Sequence, residues 1–308
     1  RTIWDRIVKN WEGRLPISIT SLRDGETFLP GEPVLQVRSH DSGFGELAAH
    51  VECILLGTIS CATARATVTR HLLERMRREV LLNHPHYDAD QVDGVAMYMV
   101  HDFGMRASST LKESEIFGRA HLLSFHGTDT FNAAYSAWAA GSKYPTGTSI
   151  LAQAHRIILG HDDEAHAVQA LADALENCPY PIGSFLADTY DYDEFLTKLA
   201  IPLALEYRRR GRGVVVLRPD SGDHRKMVGK LVTEAIANQL FHIDENGRFG
   251  GLSLKFIYGD SVNPTKIDQI FSLLRDNNCD SSDWGVFGIG GWLRAQANRD
   301  ALSAAYKL

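Results

Sequence analysis

Cysteine is scarce and poorly placed for metal or disulfide chemistry. Cys53, Cys61, Cys178 and Cys279 are far apart and no Cys-x-x-Cys occurs, so neither a zinc knuckle nor a dense disulfide frame is expected. Such sparse thiols fit a reducing, cytoplasmic setting. Positive charge is also short: 32 Lys and Arg against 38 Asp and Glu leave −6 with 13 His neutral, without the basic footprint of a nucleic-acid binder. The basic run RRRGR at 208–212 closes an apolar helical pattern, where cations suit the helix dipole. No apolar run reaches the roughly 18–20 residues of a membrane span, and no signal-peptide pattern opens the chain. Neither nucleic acid nor membrane is therefore an expected partner. Gly-x-Ser-x-Gly and His-Glu-x-x-His are both missing, which removes two common hydrolase signatures.

What is present is a chain of 308 residues, 44% of them hydrophobic, enough to bury a large core. It opens directly on helical spacing at Ile3, Trp4, Ile7 and Val8, as a fragment of a longer protein would. Residues 13–40 alternate in short Pro- and Gly-bounded segments, predicting a small antiparallel β element. Helical spacing follows from Glu46 to about Leu82. A loop with His84 and His86 around Pro85 comes next. A metal site from those two histidines has little support, since no carboxylate or third His sits at ligand spacing with them.

After residue 94 the pattern becomes regular. Short β-favouring runs at 95–100, 121–125, 184–187, 214–217, 254–258 and 286–287 each end in a loop of Gly, Asp, Ser, Thr or Arg, with helical stretches between several of them. The unbroken run VVVL at 214–217 is what a strand covered by helices on both faces requires. The reading is an α/β fold: an irregular or partial parallel β/α barrel over 94–308, with a smaller N-terminal α+β element over 1–93. Polar residues gather after the strands, at the C-terminal ends where such folds hold their ligands.

The stretch VHDFGMRASS at 100–109 contains Asp-Phe-Gly, a magnesium-binding triplet in protein kinases. A kinase would place a Gly-rich loop, a strand lysine and His-Arg-Asp upstream, and residues 1–100 contain none of them. A pocket for phosphates and a sugar fits better. GIGG at 288–291 offers backbone N–H groups to a phosphate, though a tight βα turn explains it equally well. Arg218 can fork onto a phosphate and Asp220 can accept from sugar hydroxyls, while Asp220 also reads as an Asx turn or helix cap. Phe103 could be an ordinary core residue, Asp129 a helix cap near Thr130, and His155 a structural histidine.

The ordered set HDFGMRASS, GTDT, DTYD, VVLRPDSG, YGDS and FGIGGWL, preceded by WEGRLPISI and LPGEPVLQV, resembles the nicotinamide phosphoribosyltransferases over nearly the whole chain. The resemblance implies a homodimer with a shared active site that makes nicotinamide mononucleotide and pyrophosphate from nicotinamide and phosphoribosyl pyrophosphate. By the same resemblance Phe103 stacks on the pyridine ring, Asp129 accepts from the carboxamide, and Ser149 and Ser184 line the nicotinamide tunnel. Arg106, Arg218 and Arg299 contact anions. Asp220, Gly259 and Asp260 are at the ribose, Asp188 is a further pocket carboxylate, and Gly290 with Gly291 cradles the 5′-phosphate. His155 matches the histidine phosphorylated when ATP hydrolysis is coupled to synthesis, Lys307 matches a phosphate-contacting lysine, and Mg²⁺ is expected with the pyrophosphate.

Two positions depart from the family. Ala154 stands where a glutamate usually precedes the phosphorylated histidine, and Ala305 where the family's C-terminal motif has serine. Family members are longer, with an N-terminal aromatic residue that closes the base pocket across the dimer. Two alternatives stay open: a nicotinate phosphoribosyltransferase of the same architecture, disfavoured by Asp129, and a family-like nucleotide-binding protein without turnover.

Overall fold

A computed structural model describes residues 2–23, 25–142, 147–296 and 298–305. The first helix, Ile3–Trp11, begins in a capping box between Thr2 and Asp5. Strands β1 (Ile17–Ser21) and β2 (Leu35–Ser39) then pair antiparallel, as the punctuated stretch at 13–40 predicts. Helical structure runs from Leu47–Val51 through a π-helical turn into Gly57–Asn83. By length and composition the segment Ala49–Asn83 could cross a membrane, against the expectation that no such run exists. Its C-terminal half is committed elsewhere: Leu72, Leu73, Met76 and Val80 are buried in the main core.

The remaining strands are β3 (Val100–Asp102), β4 (Gly127–Thr128), β5 (Leu151–Ala152), β6 (Ile182–Leu186), β7 (Val214–Arg218), β8 (Phe241–Ile243), β9 (Phe249–Gly251), β10 (Leu254–Tyr258) and β11 (Gly285–Ile289). Seven form one sheet in the order β4-β3-β11-β10-β7-β6-β5, parallel throughout. The sheet curls into an irregular half-barrel. Its two edges approach each other through residues 148–152, because Thr148 bridges Gly127 in parallel while Leu151 pairs with Gly183. β8 and β9 form a separate antiparallel hairpin.

Two β segments differ from the sequence expectation. The run at 95–100 is mostly not strand: Val95 and Ala96 end the helix Ala89–Ala96, which opens in a capping box between Asp88 and Gln91, residues 97–99 turn, and the strand starts only at Val100. The run at 121–125 ends a helix, Leu111–His121, capped by Thr110, and the strand begins at Gly127. In both, the end of the preceding helix and the turn that follows it take up the β-favouring residues, so the strand is delayed. Outside the sheet, helices pack their apolar stripes on strand residues that alternate away from the barrel interior. Val215 and Leu217 of β7, Phe256 of β10 and Phe287 of β11 all join this core. Phe271 meets Phe287 edge to face, ring centres 5.3 Å apart, worth about 0.5–1.5 kcal/mol beyond area burial.

Candidate active site

The parallel arrangement brings the ends of β3, β4, β5, β6, β7, β10 and β11 to one rim. Carboxylates in these loops divide into two kinds. Asp163, Asp191 and Asp223 accept from the backbone N–H of His166, Glu194 and Lys226, so each is spent on capping the helix that follows. Asp129, Asp188 and Asp220 are not caps. The helix Phe131–Ala139 starts at Thr130 without a side-chain cap, and Asp223 rather than Asp220 caps His224–Ala237. The capping alternatives for Asp129 and Asp220 are therefore not what the structure shows.

At one end of the rim Phe103 follows β3, and its N–H donates to Ile289 O at 2.9 Å. The ring passes over Gly288: a β-carbon there would collide with it, and one at Gly259 would stand 3.3 Å from the ring and 2.9 Å from Asp220 Oδ1. Beneath it Asp102 accepts from Gly104 N–H at 2.9 Å and from Arg65 Nη2 at 2.8 Å. This ion pair is almost fully buried, the setting in which losing one partner costs roughly 3–5 kcal/mol. Asp129 is tied by its backbone N–H to Asp102 O, 3.0 Å, and its Oδ1 accepts from Ser149 Oγ at 2.5 Å. Two residues predicted for one pocket thus meet across β4 and the strand edge at 148–152. His101 lies below them; burial pulls its imidazole under the ordinary range and Asp129 opposes that.

Farther along, buried polar atoms accumulate. Ser184 Oγ, Asp188 Oδ1 and Arg218 Nε are buried without a hydrogen-bond partner among the described residues, whereas such atoms are almost always satisfied in folded proteins. Gly183 faces Leu171 and Leu175 on the covering helix, so by strand alternation Ser184 faces the barrel interior. Asp188 accepts from Ser221 Oγ at 2.5 Å through Oδ2, and its Oδ1 lies 3.7 Å from His155 Nε2. Although Ala154 carries no carboxylate, Asp188 thus sets one close to His155 from the loop after β6. Tyr258, at the end of β10, records the surrounding charge: its hydroxyl is pushed upward by burial first, then by Asp260, Asp223, Asp188 and Asp220. Asp260 itself is held by Lys266 Nζ at 3.4 Å and by Ser261 Oγ at 2.9 Å.

Gly290 has its backbone against Phe103, where a β-carbon would stand 2.9 Å from the Phe103 carbonyl, while Gly291 faces open space. Arg106 is exposed on the turn Met105–Ala107 beside them. Arg299 is not brought into the rim by any contact among the described residues: its Nε donates to Ala304 O at 2.9 Å and its guanidinium pairs with Asp300 at 3.6 Å. Lys307 lies outside the described residues. Sequence reading missed Arg65, which sits within a helical pattern of small residues that carries no sign of its distant partner. It also missed Arg294, which donates to Ser109 Oγ at 2.6 Å and pairs with Glu113 at 3.3 Å, tying the loop after β3 to the helix after β11.

The model of the nicotinate phosphoribosyltransferase (NAPRTase) family matches residues 98–308. A nicotinamide phosphoribosyltransferase of Xanthomonas campestris pv. campestris is 28% identical over 315 residues, 99% of this chain and 64% of that protein. One from Acinetobacter baylyi is 26% identical over 315 residues, 96% of this chain and 61% of its own length. This chain therefore spans about six-tenths of these curated relatives. Among solved structures, nicotinate-nucleotide pyrophosphorylase from Pyrococcus furiosus superposes with a TM-score of 0.57 at 20% identity, over 96% of this chain and 61% of that one, a likeness of fold.

Proposed function

The chain belongs to the nicotinate phosphoribosyltransferase (NAPRTase) family, and from that premise we propose that the protein transfers the phosphoribosyl group of phosphoribosyl pyrophosphate to nicotinamide, giving nicotinamide mononucleotide and pyrophosphate for NAD salvage. The observation that carries this reading is the row of unpartnered buried atoms on Ser184, Asp188 and Arg218, beside an uncapped Asp129 that faces Ser149. A polar ligand with hydroxyl, phosphate and amide groups would satisfy all of them.

In this reading Phe103 stacks on the pyridine ring and aims its nitrogen lone pair at ribose C1, an effect of orientation. The C1–oxygen bond to pyrophosphate breaks as the C1–nitrogen bond forms, and the leaving oxygen takes the electron pair. Positive charge grows on the sugar and negative charge on the leaving group. Asp188 and Asp220 face the first, and Arg218 with Arg106 the second. Bound Mg²⁺ would supply Lewis-acid stabilisation of the leaving pyrophosphate, and the carboxylate oxygens of Asp220 and Asp260 are the hard donors that would hold it. Gly290 and Gly291 expose backbone N–H groups to the 5′-phosphate. His155, with Asp188 orienting its ring, takes a phosphoryl group from ATP as ADP leaves.

Asp129 favours the amide over the acid. One carboxylate oxygen is engaged by Ser149 and the other can accept from a carboxamide N–H₂, whereas nicotinate would set a second carboxylate against it. A homodimer that completes the pocket is supported by an exposed aromatic stripe directly after Asp129, where Phe131 stacks near Tyr135 at 6.2 Å and Tyr135 near Trp138 at 5.8 Å. The deciding experiment is turnover of nicotinamide and of nicotinate by the full-length protein. Nicotinamide mononucleotide as the major product supports the proposal. Preferential use of nicotinate, or no turnover of either, rejects it.

A further inference from the structure

At the end of the sheet away from the βα loops, three segments distant in sequence converge. His84 follows the helix Gly57–Asn83, Asp244 opens the turn between β8 and β9, and Asp280 lies in the loop leading into β11. One ligand-type atom from each lies within 4.8 Å of the others. The carboxylates that sequence spacing denied to His84 and His86 are thus supplied from far along the chain. Glu245 stands beside the group, its Oε1 3.5 Å from His84 Nδ1 and 2.7 Å from His86 Nε2.

The bonding around His84 is that of a ligand held in place by an outer carboxylate. Its side chain is only 9% exposed, and its ring stacks on Tyr87 with centres 4.4 Å apart. Nε2 lies 2.8 Å from Asp280 Oδ2, while the other Asp280 oxygen accepts from the Ser282 N–H at 2.9 Å and hydroxyl at 2.6 Å. In the neutral imidazole, an acceptor at Nε2 keeps the proton there and leaves Nδ1 as a lone pair. That Nδ1 is buried and without a hydrogen-bond partner among the described residues, and so is Asp244 Oδ2. Asp244 Oδ1 is occupied, accepting from Asn246 and Arg248 N–H at 2.8 and 2.7 Å. The nearby Arg248 guanidinium donates instead to Leu82 O and Asn83 Oδ1. His84 Nδ1 and Asp244 Oδ2 are thus both buried and unpartnered, with Glu245 Oε1 3.5 Å from Nδ1 and itself met by His86, an arrangement that costs free energy unless a cation joins them.

We propose that His84 Nδ1, Asp244 and Glu245 bind a divalent transition-metal ion of the zinc type, with Asp280 holding the imidazole and His86 the Glu245 carboxylate. Mixed imidazole and carboxylate donors suit such an ion better than calcium or magnesium. Ligands about 2.0–2.1 Å from a tetrahedral ion stand about 3.4 Å apart, close to the 3.5 Å between Nδ1 and Oε1. The ion would fasten the long helix, the hairpin and the loop entering β11 to one another, away from the rim where the transfer chemistry is proposed.

The test is calorimetric titration of the full-length protein with zinc chloride in chelator-free buffer, together with the zinc-dependent change in Tm. The expected result is one equivalent per chain and a rise in Tm. Asp244→Asn retains the two turn hydrogen bonds through its amide oxygen, and Glu245→Gln changes an exposed side chain; each should weaken zinc binding at least tenfold and abolish most of the Tm rise. Asp280→Asn should weaken it about ten- to a hundredfold through the imidazole. No zinc-induced change in the wild type would overturn the site. So would equal zinc affinity in the wild type, Asp244→Asn and Glu245→Gln, which would assign the binding to other histidines. None of these readouts depends on turnover.

Discussion

The ring of Phe103 occupies the space that a β-carbon on Gly288 would need. The glycine is required by this close approach, and it fixes where the ring lies across the ends of β3 and β11. Gly288→Ala should force the ring or the strand to move, at a cost of roughly 1–3 kcal/mol in stability. It should also raise KM for nicotinamide about tenfold or more, with a smaller change for phosphoribosyl pyrophosphate. Gly291 gives the contrast, because a β-carbon there meets nothing within 4 Å. Gly291→Ala should leave Tm unchanged and weaken phosphoribosyl pyrophosphate selectively. Equal effects on both substrates in both variants would separate these glycines from the roles given to them.

Asp129→Asn isolates the choice of base. A charge-assisted bond to the carboxamide is worth roughly 1.5–3 kcal/mol, or about ten- to a hundredfold in affinity. The variant keeps the acceptor for Ser149 and removes the charge. It should lower kcat/KM for nicotinamide and narrow the preference over nicotinate. An unchanged ratio in a folded variant would show that the carboxylate does not read the base.

With Asp188 Oδ1 3.7 Å from His155 Nε2, the proposed reading expects His155 to be phosphorylated despite Ala154. Incubation with labelled ATP should give acid-labile label that is lost in His155→Ala and slowed in Asp188→Asn. Label that persists in His155→Ala would remove the role.

The sheet was legible in the sequence where strands are buried on both faces. The unbroken VVVL run and the LKFIY run lie in β7 and β10 as read. Short edge strands were not legible: β4 and β5 have two residues each, too few for any periodicity to show. Which acids are left free of helix capping was only half readable, because Asp129 and Asp163 look alike until the start of each following helix is known. Asp188 facing His155, and Arg65 beneath Phe103, depend on contacts across the fold that no local pattern encodes.

The stripe of Phe131, Tyr135 and Trp138 should be buried between two copies. Light scattering on the full-length protein is expected to give twice the chain mass, and Trp138→Glu should shift it toward monomer with loss of turnover. A monomeric wild type that retains activity would refute the shared pocket.

His121 links the site to pH through stability. It lies beneath the loop of Asp129, fully buried, with Nε2 3.0 Å from Gly127 O; a carbonyl only accepts, so the proton sits on Nε2. Burial pushes the imidazole down to about 4, with Asp102 opposing and Arg65 reinforcing the shift. Its unfolded value lies near 6.5. Between those values the unfolded chain binds a proton that the folded chain refuses, so stability is fully present above about 6.5 and is lost as pH falls toward about 4. The loss from this one group is at most about 3 kcal/mol. His121→Gln can keep a donor to Gly127 O and cannot titrate. The gap in unfolding free energy between wild type and variant, measured by urea denaturation from pH 7.5 to 4.5, should therefore move in favour of the variant as pH falls. A gap constant across that range would show that His121 is not held neutral by the fold.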